Sequence, residues 1–167
     1  MKSIYLTGFM GAGKTTIGKA LGEYLKMPVF DTDQEIEKIE ARTINEIFER
    51  KGEAYFRAFE TRILGELPVE DAVITTGGGI VCREENRELL KEQGTVIFLF
   101  ASEEEIVKRL KQDETRPLLK GDKIARIATL YNERLPLYKQ TADYMVNTTG
   151  KGIAEVVTEI ATCLNLQ

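Results

Sequence analysis

The run Gly8-Phe9-Met10-Gly11-Ala12-Gly13-Lys14-Thr15 constrains this chain more than any other. It satisfies every fixed position of the phosphate loop G-x-x-x-x-G-K-[ST]. It also lies where that loop belongs, between a short apolar run, Ile4-Tyr5-Leu6-Thr7, and a helix-compatible stretch over 14–25. Glycines let the backbone wrap so that successive N–H groups point at one anion. The helix that follows adds the positive end of its dipole. On this reading Lys14 reaches the β- and γ-phosphates of a nucleoside triphosphate, and the Thr15 hydroxyl ligates Mg²⁺.

The remaining pattern predicts the fold that such a loop needs. Pro28-Val29-Phe30 reads as a second strand running into Asp31-Thr32-Asp33. Residues 72–76 and 95–100 read as the third and fourth, the latter apolar on both faces as in a buried parallel sheet. Tyr144-Met145-Val146 gives a weaker fifth. Between them, Thr43 with Glu46 and Ser102 with Glu105 form capping boxes that open helices. Another helix is expected from Glu53 towards Leu67, and one is marked by Ile124, Ile127 and Leu130. Ile153, Val156, Val157, Ile160, Ala161 and Leu164 form the apolar stripe of a terminal helix. Strands alternating with helices give an α/β fold with a parallel sheet covered on both faces. Length and the absence of any composition break suggest a single domain over 1–167.

Composition narrows the chemistry. The chain has no histidine, which excludes Ser-His and Cys-His nucleophiles and His-ligated metals. A net charge of −4 argues against sequence-independent nucleic-acid binding. Two distant cysteines, Cys82 and Cys163, make neither a disulfide framework nor a zinc site, and suit a reducing compartment. The longest strictly apolar run, 96–101, is far short of the roughly 20 residues that span a bilayer. A cytoplasmic protein without membrane partners is expected, and monomer is the default state.

Which reaction the phosphate loop serves depends on the acids. The central apolar runs 73–76 and 96–100 end in Gly77 and Ala101, so no Walker-B aspartate follows them, and no Asn-Lys-x-Asp base-reading motif occurs. The acids follow the second strand instead, at Asp31 and Asp33, a placement that suits a small-molecule kinase. If that segment stays extended, Asp31 and Asp33 point to one side, one for Mg²⁺ and one for an acceptor hydroxyl. Equally, either could cap the helix that follows. Arg57 and Glu60 lie one helical turn apart, either as a surface ion pair or as an arginine oriented by its glutamate to bind a carboxylate. Gly77-Gly78-Gly79 is either a plain turn or a place of close backbone approach. Arg116-Pro117-Leu118-Leu119 lies in a polar, turn-rich stretch, 113–122, that offers little apolar surface and suits a mobile lid. Arg134-Leu135-Pro136-Leu137-Tyr138 places another arginine at a helix end that the proline would stop.

These motifs, in this order and over nearly the whole chain, closely resemble the shikimate kinase family. The resemblance implies a three-layer P-loop kinase fold with a five-stranded parallel sheet, an acceptor-binding subdomain at about 31–62 and a lid at about 111–123. It implies transfer of a phosphoryl group from ATP, with Mg²⁺, to the 3-hydroxyl of shikimate, on the route to chorismate and the aromatic amino acids. By the same resemblance, Gly11, Ala12, Gly13, Lys14, Thr15, Thr16, Arg109 and Arg116 bind ATP, with Arg109 against adenine. Asp33, Arg57, Gly78, Gly79 and Arg134 bind shikimate. Asp33, Lys14 and Arg116 serve the transfer itself, Asp33 as base, and Thr15 and Asp31 support the metal. Kinases of gluconate or a nucleoside monophosphate are the nearest alternatives.

Overall fold

Strands buried on both faces are rich in apolar residues, and three here are. β1 (Ser3–Thr7), β3 (Val73–Thr75) and β4 (Gly94–Phe100) have almost every residue buried. In the computed structural model, which describes residues 1–112 and 122–166, they form the centre of a five-stranded sheet. The edges are β2 (Val29–Asp31) and β5 (Tyr144–Asn147), giving the order β2-β3-β1-β4-β5 with every pair parallel. Parallel pairing sends all five carboxyl ends to one rim, and every loop that bears a motif leaves from that rim.

Helices cover both faces. On one lie α1 (Lys14–Leu25) and α7 (Ile153–Cys163). On the other lie α3 (Ile44–Glu66), α4 (Glu84–Gln93) and α6 (Asp122–Thr141). α2 (Thr32–Glu40) packs on α3, and α5 (Glu103–Gln112) on α6. The three-layer P-loop architecture expected from the sequence is therefore present.

Both capping boxes start helices as read. The Thr43 hydroxyl accepts the Glu46 N–H at 3.2 Å, and the Ser102 hydroxyl accepts that of Glu105 at 3.2 Å. The helix expected from Glu53 joins the one opened at Thr43 across a break at Gly52, whose φ is 83°. Two differences are informative. α4 carries few apolar residues, with Asn86 and Leu90 buried, so periodicity does not announce it. The need for a crossover between parallel β3 and β4 does. Pro136 does not stop its helix, because α6 continues through it to Thr141. Beyond the proline, buried Tyr138 stacks on Phe98 with ring centroids 5.1 Å apart, and Thr141 is buried as well. That anchorage outweighs one lost backbone N–H. The central part of the expected lid, 113–121, lies outside the described residues.

α1 sits close to the sheet because its inner face is glycine. A Cβ on Gly18 would stand 2.3 Å from Thr75 Cγ2, and one on Gly22 2.3 Å from Val29 Cγ2. Alanine favours a helix interior over glycine by about 1 kcal/mol. Overpacking against a stiff β-branched side chain costs about 1–3 kcal/mol. Gly18→Ala is therefore expected to lower stability in urea unfolding. The same change on a Thr75→Ser background, where Cγ2 is gone, is expected to be neutral or stabilising. A stabilising Gly18→Ala in the parent chain would show that this packing is not tight.

Candidate active site

The phosphate loop leaves β1 and turns into α1, with the Ala12 N–H donating to the Phe9 carbonyl at 3.0 Å. Gly11 and Gly13 take φ of 81° and 96°, values that side chains rarely tolerate, and Gly13 is the residue on which α1 begins. The Lys14 ammonium folds back over the loop and donates to the Gly8 and Phe9 carbonyls, the latter at 3.1 Å. Thr15 and Thr16 are exposed on the first turn.

Beside the loop opens a cavity of about 530 Å³. Lys14, Thr15, Asp31, Asp33, Arg57 and Arg134 all line it, together with Glu60 and the glycines Gly77, Gly78 and Gly79. Six residues far apart in sequence are thus brought together as read. Arg116 lies outside the described residues.

Asp31 and Asp33 reach the cavity differently from the extended geometry expected. β2 ends at Asp31, which is the N-cap of α2 and accepts the Gln34 N–H at 3.0 Å. Asp33 is already helical, in the first turn. The capping and functional readings of this pair thus coexist, because the cap turns the chain so that both carboxylates face the same space.

Arg57 and Glu60 form a close pair, Nη1 to Oε1 at 3.0 Å, with Glu60 fully buried and Arg57 mostly so. This is no solvated surface ion pair. Among the described residues, the Glu60 Oε2 and Asp33 Oδ1 atoms are buried without hydrogen-bond partners. Both lie within 3.0 Å of the point where a Gly77 Cβ would stand. Burial first, and the Asp31 charge second, push the Asp33 carboxyl up to about 6 against the pull of Lys14 and Arg57. Burial pushes Glu60 up to about 7, with Arg57 opposing.

The glycine run is a matter of space more than of turning. A Cβ on Gly79 would stand 2.4 Å from Arg57 Nη1, whereas one on Gly78 would meet nothing nearer than Arg134 Nη1 at 3.5 Å. Gly77 and Gly79 thus make room for the chain's own charged groups. Gly78 is held by its carbonyl, which accepts from the buried Tyr138 hydroxyl.

A smaller cavity, about 200 Å³, adjoins the first and shares Gly11, Gly13 and Thr16 with it. Arg109 lines it and ties it together. Its guanidinium donates to the Gly11 and Ala12 carbonyls at 3.1 and 3.3 Å and to the Thr148 carbonyl at 3.2 Å. Thr148, Lys151 and Ile153 complete its wall.

Ile44 and Phe48, which the sequence does not single out, form an apolar wall of the larger cavity with Phe56, the neighbour of Arg57 in its motif; the Phe48 and Phe56 rings are 4.9 Å apart. The spacing of Ile44 and Phe48, one turn apart after the Thr43 cap, is the signal that could have found two of them.

The family model for shikimate kinase matches residues 10–165. The shikimate kinase of Bacillus anthracis is 47% identical over 165 residues, covering 99% of each chain. This chain belongs to the shikimate kinase family. A solved shikimate kinase from Acinetobacter baumannii, in complex with shikimate, superposes with a TM-score of 0.91 at 38% identity, covering 99% of this chain and 93% of its own. A gluconokinase from Sinorhizobium meliloti reaches a TM-score of 0.59 at 19% identity, covering 98% and 91%. That likeness is one of fold alone.

The raised Glu60 carboxyl carries a signed consequence for stability. A raised acid favours the folded state fully below its unfolded value near 4.5, and the benefit is lost as pH rises through about 7. Glu60→Gln removes this titration. Relative to the variant, the parent's unfolding free energy is therefore expected to fall between pH 4.5 and 8, by on the order of 2 kcal/mol. A pH-independent difference in urea unfolding would refute the raised value.

Proposed function

We propose that this member of the shikimate kinase family transfers the γ-phosphoryl group of ATP to the 3-hydroxyl of shikimate, giving shikimate 3-phosphate and ADP. The observation that carries the reading is one cavity lined both by a complete phosphate loop and by a carboxylate with two guanidinium groups. Shikimate offers a carboxylate and three hydroxyls. Arg57 and Arg134 match the carboxylate, with Gly78 and Gly79 beside the ring, and Asp33 matches a hydroxyl. α2 and α3, which carry Asp33 and Arg57, form the acceptor-binding part.

The reaction forms a bond from the acceptor oxygen to the γ-phosphorus and breaks the one from that phosphorus to ADP. Asp33 accepts the hydroxyl proton as the oxygen attacks. A carboxyl near 6 is basic enough to take it and is still largely ionised at neutral pH. Lys14 neutralises charge on the transferring group, and the loop N–H groups hold the phosphates in line. Thr15 and Asp31 offer hard oxygen donors that would hold Mg²⁺, which would supply charge neutralisation to the phosphates. Arg116, outside the described residues, is read as adding positive charge from the lid. In the smaller cavity the guanidinium edge of Arg109 is committed to carbonyls, so its planar face is what a nucleotide base would stack on. ATP as co-substrate places the enzyme in the cytoplasm.

Purified protein with ATP·Mg²⁺ is expected to convert shikimate to its 3-phosphate with stoichiometric ADP, and to leave gluconate and nucleoside monophosphates untouched. Turnover no higher than background ATP hydrolysis would end the proposal. Arg57→Ala is expected chiefly to raise the shikimate KM, with the ATP KM little changed; an unaltered shikimate KM would remove Arg57 from the carboxylate site. Asp33→Asn is expected to lower kcat by ~10²–10⁴-fold. In the parent, kcat/KM for shikimate is expected to fall below a pH of about 6, because protonated Asp33 cannot accept the proton. That limb should vanish in the residual activity of Asp33→Asn, and its persistence would assign it to another group.

A further inference from the structure

β2 and β3 pair in parallel, with Asp31 directly opposite Thr75. Side chains of paired residues rise on the same face of a sheet. The Thr75 hydroxyl, almost fully buried, donates to Asp31 Oδ2 at 2.6 Å; its other acceptor, the Phe30 carbonyl, is farther off at 3.5 Å. Asp31 Oδ1 already holds the Gln34 N–H. Each carboxylate oxygen thus carries one donor, and the group is fixed against rotation while keeping lone pairs for the cavity that it lines.

A threonine fits at this position because of the opposite helix. Its γ-methyl stands 2.3 Å from where a Gly18 Cβ would be, so it fills the space that glycine leaves on α1. With the methyl seated against α1, the stiff χ1 of a β-branched side chain directs the hydroxyl to Asp31. Gly18 lies one turn beyond Lys14 and Thr15 on the same helix. One side chain therefore registers the helix that begins at the phosphate loop against the strand that ends in Asp31.

We propose that Thr75 is a positioning residue for the metal–nucleotide site, fixing the Asp31 carboxylate relative to Thr15, and that Gly18 is the space that permits it. The proposal rests on the reading of Asp31 and Thr15 as the metal-supporting pair. Outer partners of metal-supporting groups typically change affinity by about 10–100-fold when lost.

The test is calorimetric titration of ADP into the enzyme with Mg²⁺ and again with a chelator, so that the ratio of affinities reports the metal without turnover. Thr75→Val keeps the methyl packing and loses the donor; it should cut the Mg²⁺-dependent gain by about tenfold and leave metal-free ADP binding unchanged. Thr75→Ser keeps the donor and should restore most of the gain. Asp31→Asn should also lose it. If Asp31→Asn loses the gain and Thr75→Val keeps it, Thr75 has no positioning role and the proposal fails while the Asp31 reading stands. If Thr75→Ser loses as much as Thr75→Val, the hydroxyl is not the cause and the proposal again fails. If Asp31→Asn keeps the full gain, the underlying reading of Asp31 is wrong and the proposal falls with it.

Discussion

A carboxylate with no exposed surface is costly unless a cation answers it. Glu60 is in that position, and the Arg57 guanidinium at 3.0 Å is its chief answer. Much of the cavity follows from this contact. The guanidinium needs the space over Gly79, and the carboxyl oxygens of Glu60 and Asp33 need the space over Gly77. The glycine run after β3 is thus shaped by the charges packed against it. Glu60 holds Arg57 Nη1 and Glu53 lies 3.6 Å from its Nε, and the guanidinium so oriented lines the cavity. Arg134 flanks the next glycine, so the two cations come to bear on one space.

Parallel topology explains why these groups meet at all. Each strand delivers the segment that follows it to the same rim, and the pieces arrive from three strand ends and two helices. β1 supplies the phosphate loop, β2 the two acids and β3 the glycines. α3 brings Arg57 and Glu60, and α6 brings Arg134, two residues before a proline through which the helix continues. The two cavities meet at the phosphate loop, sharing Gly11, Gly13 and Thr16.

The strands and the phosphate loop were legible because their signals are local: a motif of fixed spacing, or an unbroken apolar run such as that of β4. The residues lining the larger cavity were legible only through the ordered set of motifs, since Arg57 or Arg134 alone is indistinguishable from a solvated charge. What stayed hidden depends on the third dimension. α4 is polar because only Asn86 and Leu90 turn fully inward. For Asp31 and Asp33 the sequence leaves an extended segment and a helix cap both open, and the fold takes the cap, with Asp31 as N-cap and Asp33 in the first turn of α2. Thr75 reads as an ordinary β-branched strand residue, and only the sheet register against Asp31 and the contact with Gly18 give it a task.

The central claim is spatial: a phosphate tail on the loop faces a carboxylated polyol held by Arg57 and Arg134. A crystal structure with ADP and shikimate tests it most directly. The shikimate carboxylate is expected between those two guanidinium groups, with a ring hydroxyl against Asp33 and turned towards the β-phosphate. Shikimate bound with its carboxylate away from both arginines, or with no hydroxyl within reach of Asp33, would contradict it.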